Sequence, residues 1–372
     1  PFNPSNPAES VAFLRNDETV YRTLGSVKVN WDLIKTERQA LEFILQGGVD
    51  FFSMENSIFS PNELQFERET DLPGESVNGA TESVFTNLYL HVTHNYNTPG
   101  NIMFRTTAGA QFEDRDVNNV LVNSNGLVQT QSNVDQAVSV DVFQTQIIQR
   151  ERGFFVQEEI NLQDKIYLTA ALRGDASSTS GDTDKFFLFP KFSGSIRLSE
   201  YPFWEGLSGI SDEFKFRVAY GETGNLPRPV AKFTNLIPSN IGGLSGLVAA
   251  GRRGDPDIEP ERTREIELGF DATLFDEIAI LELTYYRQDI SDLILQVDEA
   301  PSSGVTSSEF NAGEMETTGW EISLGLNPIR KKNLTWTSRI NFFTTDSEIT
   351  ELGVNPFTGL PIDPFNIGGF AT

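Results

Sequence analysis

The feature that most constrains this chain is a period of two in its apolar residues, repeated in segment after segment. From Arg264 to Leu274, Ile266, Leu268, Phe270, Ala272 and Leu274 share one face, and Glu265, Glu267, Gly269, Asp271 and Thr273 share the other. Alternation of this kind fits an extended strand with one apolar and one polar side. After Phe275-Asp276-Glu277 it resumes, with Ala279, Leu281, Leu283 and Tyr285 set against Glu282, Thr284 and Tyr286, so the two segments read as a hairpin. Trp320, Ile322, Leu324 and Leu326 alternate with Glu321, Ser323, Gly325 and Asn327. Across a basic turn, Leu334, Trp336, Ile340 and Phe342 alternate with Thr335, Thr337, Arg339 and Asn341, which makes a second hairpin. Upstream, Leu41, Phe43, Leu45, Val49 and Phe51 share a face, as do Val84, Leu88, Leu90 and Val92, and then Ile102, Phe104, Ala108 and Phe112. Phe154, Val156, Ile160 and Leu162 pair through Gln163-Asp164-Lys165 with Ile166, Leu168, Ala170 and Leu172.

The pattern predicts an all-β chain of about a dozen strands of roughly 8 to 14 residues, long for a soluble sandwich but suited to tilted membrane strands. No run of apolar residues is long enough for a spanning helix, whereas the alternating strands of a spanning barrel never look hydrophobic on average. The connections point to the barrel. Short turns at Lys35 to Gln39, Asn97 to Asn101, Gln163 to Lys165, Phe275 to Glu277 and Pro328 to Asn333 alternate with long polar stretches. The long ones are Glu55 to Thr81, Glu113 to Gln136, Ala176 to Lys185, Glu222 to Glu261 and Ser291 to Glu314. An outer-membrane barrel has short periplasmic turns and long external loops, which places all the long stretches on one end. Trp31 and Trp336 lie near short-turn ends and Trp320 near a long-loop end, as two aromatic girdles require. Leu268, Phe270, Leu281, Leu283, Ile322 and Leu324 are then expected to face lipid, and Glu267, Asp271, Glu282 and Glu321 the lumen. Pro1 to Pro7 and Ile362 to Thr372 read as loop, and the absence of an initial Met or leader marks the chain as an expected internal piece of a longer protein.

Composition removes several functions. A net charge of −25 repels phosphate backbones, so no nucleic-acid partner is expected. With no cysteine, disulfide frameworks, zinc ribbons and thiol catalysis are excluded for this chain. The 29 phenylalanines suit strands, not polar disorder. His91 and His94 are the only histidines and fall on opposite strand faces, which suits neither a metal cage nor a Ser-His dyad, so the chain reads as a non-enzyme with no catalytic, cofactor or metal residue. Asp114 with Asp116, Asp182 with Asp184, and Asp255 with Asp257 are the places where external loops would hold Ca²⁺; solvated loop charge is the better account, because no twelve-residue loop with its closing Glu is present. Arg173-Gly174-Asp175 and Arg253-Gly254-Asp255 spell an adhesion tripeptide. Arg330, Lys331 and Lys332 form a basic turn able to sit against lipid phosphate. Asn118, Asn119, Asn123, Asn125 and Gln129 to Gln131 form an amide-rich stretch of the kind that recognises glycans or simply stays hydrated.

Val218-Ala219-Tyr220-Gly221-Glu222-Thr223-Gly224-Asn225 resembles the "YGxTGN" block of SusC/RagA-type TonB-linked outer-membrane transporters. Further blocks resemble that family in the same order. They are Leu168 to Arg173 with Asp175 and Ser177-Ser178; Phe189-Pro190 with Ser193; and Pro260 to Thr263 with Glu265-Ile266 and Gly269. Tyr285-Tyr286 with Ser291 to Ile294, and Asn311 to Gly313 with Gly319 and Glu321, complete the series, so the match runs from Arg152 to Phe343. Ala176 stands where the family has Gly and Ile196 where it has Trp, read as drift at a strand end and on the lipid face. Gly221, Gly224, Asn225 and Pro227 read as a tight turn with positive φ that ends a strand.

The resemblance implies part of the wall of a barrel of about 22 strands. Residues 1–372 are then a partial barrel domain, with the plug, the N-terminal domain and the closing strands expected elsewhere in the parent protein. It implies TonB-coupled import of a bulky nutrient, an oligosaccharide or peptide, across the outer membrane of a Gram-negative bacterium. The implied partners are outer-membrane lipid, the TonB complex and a SusD-like lipoprotein. A passive porin and a surface adhesin are the alternatives.

Overall fold

In the computed structural model, which describes residues 6–128 and 131–363, a short helix α1 (Pro7–Phe13) precedes a chain that is otherwise almost all strand. The loop expected at Pro1 to Pro7 therefore ends at Asn6, whose side chain caps α1; the residues before it lie outside the described ones, as do those after Asp363. The first eight strands are β1 (Arg15–Lys35), β2 (Gln39–Ser60), β3 (Glu75–Asn97), β4 (Ile102–Leu127), β5 (Ala137–Leu162), β6 (Ile166–Ser177), β7 (Phe187–Arg197) and β8 (Ser211–Asn225). Three short strands follow, β9 (Leu236–Ile241), β10 (Leu244–Ala249) and β11 (Arg252–Arg253), and then β12 (Glu261–Leu274) and β13 (Ala279–Ser291). The last four are β14 (Ile294–Asp298), β15 (Ser307–Asn311), β16 (Glu314–Lys331) and β17 (Leu334–Glu351).

Twelve of these form one antiparallel sheet in the order β1-β2-β3-β4-β5-β6-β7-β8-β12-β13-β16-β17, so that each long strand lies beside the one before it in the chain. The predicted hairpins form in register. Leu274 pairs with Ala279 across Phe275 to Glu277, Leu162 with Ile166, and Ile329 with Trp336. The first of these turns contains no glycine, and Phe275, Asp276 and Glu277 all take left-handed conformations, with φ of 58°, 53° and 62°.

Strand lengths depart from the expectation. β1 to β5 run 21, 22, 23, 26 and 26 residues, so about half of the stretch read as loop from Glu55 and most of that from Glu113 are strand. Asn118, Asn119, Asn123 and Asn125 accordingly belong to β4, not to a loop. Beyond the level of the hydrocarbon both faces of a strand meet water, so the apolar alternation stops while the backbone ladder continues.

The chain divides into two compact units. The first comprises the segment up to Val29 with Leu45–Tyr89 and Phe112–Arg150. In it the loop after β2 closes on fully buried Leu64, and the buried Glu67 carboxylate accepts from the Ser60 hydroxyl and the Gly74 amide. The second unit holds Asn30–Ile44, Leu90–Gln111 and everything from Glu151 onward. Its central band, β8-β12-β13-β16-β17, has one face of Phe216, Phe270, Leu283, Ile322 and Phe342 in consecutive register, with Val218, Leu268, Tyr285 and Trp320 one step further along. The opposite face carries Lys215, Asp271, Glu282, Ser323 and Asn341, again in register. This is the facing expected of Leu268, Phe270, Leu281, Leu283, Ile322 and Leu324 against Glu267, Asp271, Glu282 and Glu321.

Above the band, the connection from β8 to β12 and that from β13 to β16 fold together as a cap. β15 pairs antiparallel with β14 and parallel with β11 over a small core of Leu295, Phe310 and Ile362. Phe357 packs edge-on to Phe310 at 5.8 Å.

Candidate functional site

The polar face of the band is built by the alternation itself, since β8, β12 and β13 each turn every second side chain toward it. Asp271 sits between two cations, Lys215 Nζ at 2.7 Å and Arg217 Nε at 3.1 Å. Arg217 also donates from Nη2 to Thr284 Oγ1 at 2.6 Å, and Gln288 Nε2 donates to Glu265 Oε2 at 3.2 Å. Glu267, Glu282 and Glu321 line the same groove, of about 490 Å³. The face thus carries one bonded cluster, Lys215–Asp271–Arg217, beside the four carboxylates of Glu265, Glu267, Glu282 and Glu321.

Toward the long-loop end, the blocks that carry the family resemblance converge and bind one another. Arg173 Nε donates to both Asp175 oxygens, at 2.9 and 2.7 Å, and Nη2 reaches Gln111 Oε1 at 3.0 Å. A Cβ on Gly153 beside them would fall 2.5 Å from Asp175 Oδ1 and 2.6 Å from Arg173 Nη2, so a larger residue there would have to push this pair aside. Arg262 donates to Glu222 Oε2 at 2.5 Å and lies 5.6 Å over the Phe189 ring. Glu261 accepts from Asn225 Nδ2 at 2.7 Å and from the Ile294 amide at 2.8 Å. Asn311 donates to the Glu259 and Asp292 carbonyls, at 2.8 and 2.7 Å, and accepts from the Glu259 amide. A cavity of about 290 Å³ opens among Arg152, Arg173, Asp175, Phe187, Phe189 and Thr223.

The Gly221-Glu222-Thr223-Gly224-Asn225 block departs from its expected role. β8 continues through Asn225 and none of these residues has positive φ. Gly224 is required instead by close approach, because a Cβ there would lie 2.5 Å from Phe189 Cζ; at Gly221 the space is open. Ala176, expected as drift at a strand end, is buried and lines the cavity, while Ile196 pairs with Phe216 on the apolar face.

The other sequence candidates are held in structural roles. The first tripeptide is closed on itself by the Arg173–Asp175 pair. The second has Arg253 stacked 4.9 Å over Phe357, and Gly254 so enclosed that a Cβ would fall 2.5 Å from the Ala231 carbonyl. Asp182 and Asp255 each accept the amide two residues on, and Asp184 faces Arg152 at 3.1 Å and Asp114 faces Arg150 at 3.8 Å. Asn119 donates to Thr81 and Asn118 accepts from Gln144; Gln129 lies outside the described residues. His91 and His94 both lie in β3, and His94 stacks on Tyr96. Arg330, expected in the basic turn, lies instead in the last pairs of β16, opposite Thr335, and pairs with Glu277 of the neighbouring turn at 2.8 Å.

Sequence reading missed the pair Arg217–Asp271 and, in the cap, the buried Glu309, clamped by Arg228 at 2.6 Å and Arg252 at 2.5 Å. Arg217 was findable, since Phe214, Phe216 and Val218 alternate around Lys215 and Arg217. Glu309 left no local signal, because its partners are 57 and 81 residues away. Nearby, Glu299 takes hydrogen bonds from Asn355 and Ser308 beside Arg253, which hold its carboxyl below its ordinary value.

A sequentially ordered antiparallel sheet with one apolar and one charged face is the wall of a membrane β-barrel. The chain matches the family TonB dependent receptor-like, beta-barrel over residues 2–371 and belongs to it. TonB-dependent receptor P39 of Formosa agariphila is 25% identical over 377 residues, which cover 98% of this chain and 34% of that protein. TonB-dependent receptor SusC of Bacteroides thetaiotaomicron is 22% identical over 209 residues, 54% of this chain and 21% of the other. Among solved structures, the RagAB peptide transporter superposes with a TM-score of 0.82 at 19% identity, covering 95% of this chain and 39% of its own. The SusC/RagA-type resemblance and the barrel fold expected from the blocks are thus borne out, and the chain spans about a third or less of these curated relatives.

Proposed function

We propose that the protein to which this chain belongs imports a bulky nutrient, an oligosaccharide or a peptide, across the outer membrane of a Gram-negative bacterium, with residues 1–372 as part of the barrel wall. The observation that carries the reading is the band itself, apolar on one face and lined on the other by Lys215, Arg217, Asp271 and Glu282, beneath a rim where the family blocks interlock. A hydrated, charge-paired lumen lets a polar ligand pass without strong retention, which suits gated passage. Family membership supports coupling to the TonB complex, a plug domain and a SusD-like surface lipoprotein, each supplied by segments or proteins beyond this wall. That RagAB is a peptide transporter favours the peptide among the two ligand classes. The adhesin reading is disfavoured by both tripeptides, whose side chains are engaged within the fold.

Cells carrying the full gene are expected to accumulate an intact labelled oligosaccharide or peptide only while the TonB system is energised, and the purified protein to leave that ligand chemically unchanged. Uptake that survives uncoupling would identify a passive pore, and turnover of the ligand would identify an enzyme.

A further inference from the structure

The connection between β7 and β8 differs from every other turn at its end of the band. Where its neighbours close within a few residues, it forms two 3-10 turns, Leu198–Glu200 and Pro202–Leu207, and carries Tyr201, Phe203, Trp204, Leu207 and Ile210. Its aromatic rings run as an unbroken ladder onto the apolar face of the sheet. Tyr201 stacks on Phe203 at 5.9 Å, Phe203 meets Trp204 edge-on at 6.2 Å, Trp204 stacks on Phe214 at 5.1 Å, and Phe214 on Phe270 at 5.5 Å. The last two rings belong to the face that lipid covers. The segment is fixed, not loose: Trp204 Nε1 donates to the Ser211 carbonyl and the Phe275 amide to the Ile210 carbonyl. Yet Phe203 is 67% exposed, and Leu207, Ile210 and the adjoining Phe275 and Ile278 are exposed as well. A segment anchored through Trp204 and Ile210 that displays Phe203, Leu207 and Ile210 beside a lipid-facing surface has lipid as its fitting occupant, because apolar side chains at the edge of the hydrocarbon partition into the interfacial zone of a bilayer.

We propose that residues 198–210 form a membrane foot, seated in the headgroup and glycerol zone of the phospholipid leaflet on the short-turn side. Apolar insertion is what seats it: Arg197 is already paired with Glu200 and Glu213, and Lys165 lies 5.3 Å over the Tyr201 ring, so the nearby cations are engaged within the protein. The foot sets the height of β7 and β8 in the bilayer, and with them the height of Arg217 and the rim cavity.

The test uses the full-length protein in phospholipid vesicles, spin-labelled at Phe203→Cys, with Leu283→Cys as the lipid reference and Ser302→Cys, exposed in the cap, as the aqueous reference. At Phe203 the ratio of collision with oxygen to collision with a nickel chelate is expected to exceed that at Ser302 several-fold and to stay below that at Leu283. A ratio equal to that at Ser302 would place the segment in water and overturn the proposal. Shielding from both reagents would show that protein covers the patch, and would overturn it equally. A second label at Leu207→Cys, also exposed and outside every strand, is expected to give the same order.

Discussion

In the band formed by β8, β12, β13 and β16, Val218 and Leu268 stand 42% exposed, whereas in the cap above it Phe310 is wholly buried. Both regions are strands of one unit, with similar residues in a similar alternation, yet they turn opposite sides to their surroundings. Around Phe310 the cap packs like a water-soluble fold, with Leu295 and Ile362 inside and the buried Glu309 carboxylate clamped by two arginines, while its β9–β10 hairpin leaves Leu236, Ile241, Leu244 and Leu247 exposed. The band is the reverse, with apolar residues outside and charges inside, because hydrocarbon replaces water on one face. The difference teaches that an exposed apolar side chain on the band faces lipid, whereas in the cap the same residue type is buried around Phe310 and exposed on the β9–β10 hairpin.

The largest expected effect distinguishes burial in the two regions. Phe310→Ala leaves a cavity in the cap and should cost about 3–5 kcal/mol of local stability, read as lost hydrogen-exchange protection in β14 and β15. Phe270→Ala exchanges apolar surface for lipid and loses mainly its ring contact with Phe214, a cost of about 1 kcal/mol. Equal losses at both sites would end the comparison. The next effect concerns charge. Leu283→Arg should cost about 2–4 kcal/mol in denaturant unfolding from bilayers, while Glu282→Arg on the polar face is tolerated. Reversed sensitivities would mean that the two faces are exchanged. The smallest effect sharpens the boundary between band and cap, at the rim. Gly224→Ala pushes against Phe189 and should cost about 1–3 kcal/mol in thermal unfolding, whereas Gly221→Ala, which enters open space, should stay within about 0.5 kcal/mol.

The band was legible in the sequence because lipid on one side and water on the other impose a strict period of two, so Leu268, Leu283 and Ile322 declare their face from spacing alone. The outer lengths of β2, β3 and β4 were not legible, because water on both sides leaves no such period, and residues such as Asn118 and Asn123 read as loop. The family blocks located the rim but not its physics. Gly224 looked like a turn residue and proved to be a place where a ring from β7 lies against backbone. Glu309 and its arginines were invisible for another reason, since pairs that join two distant connections leave no mark on local spacing. The connection at 198–210 falls between these cases. Its rings were visible, but nothing in the sequence told a long turn on the short-turn side from one more strand edge.

The sequential order of the long strands has one more consequence, for how such a chain changes over generations. β8 and β12 remain paired from Ser211 to Asn225 although a hairpin and the short strand β11 lie between them in the chain. With each ladder partner next in line, an insertion in a connection reassigns no hydrogen bond in the wall, and doubling a flexible loop adds only about 0.6 kcal/mol of closure entropy. Connections on the long side can therefore be lengthened without re-pairing the wall, but 226–260 and 292–313 must change as a set, because Arg228 and Arg252 of the first clamp the buried Glu309 of the second.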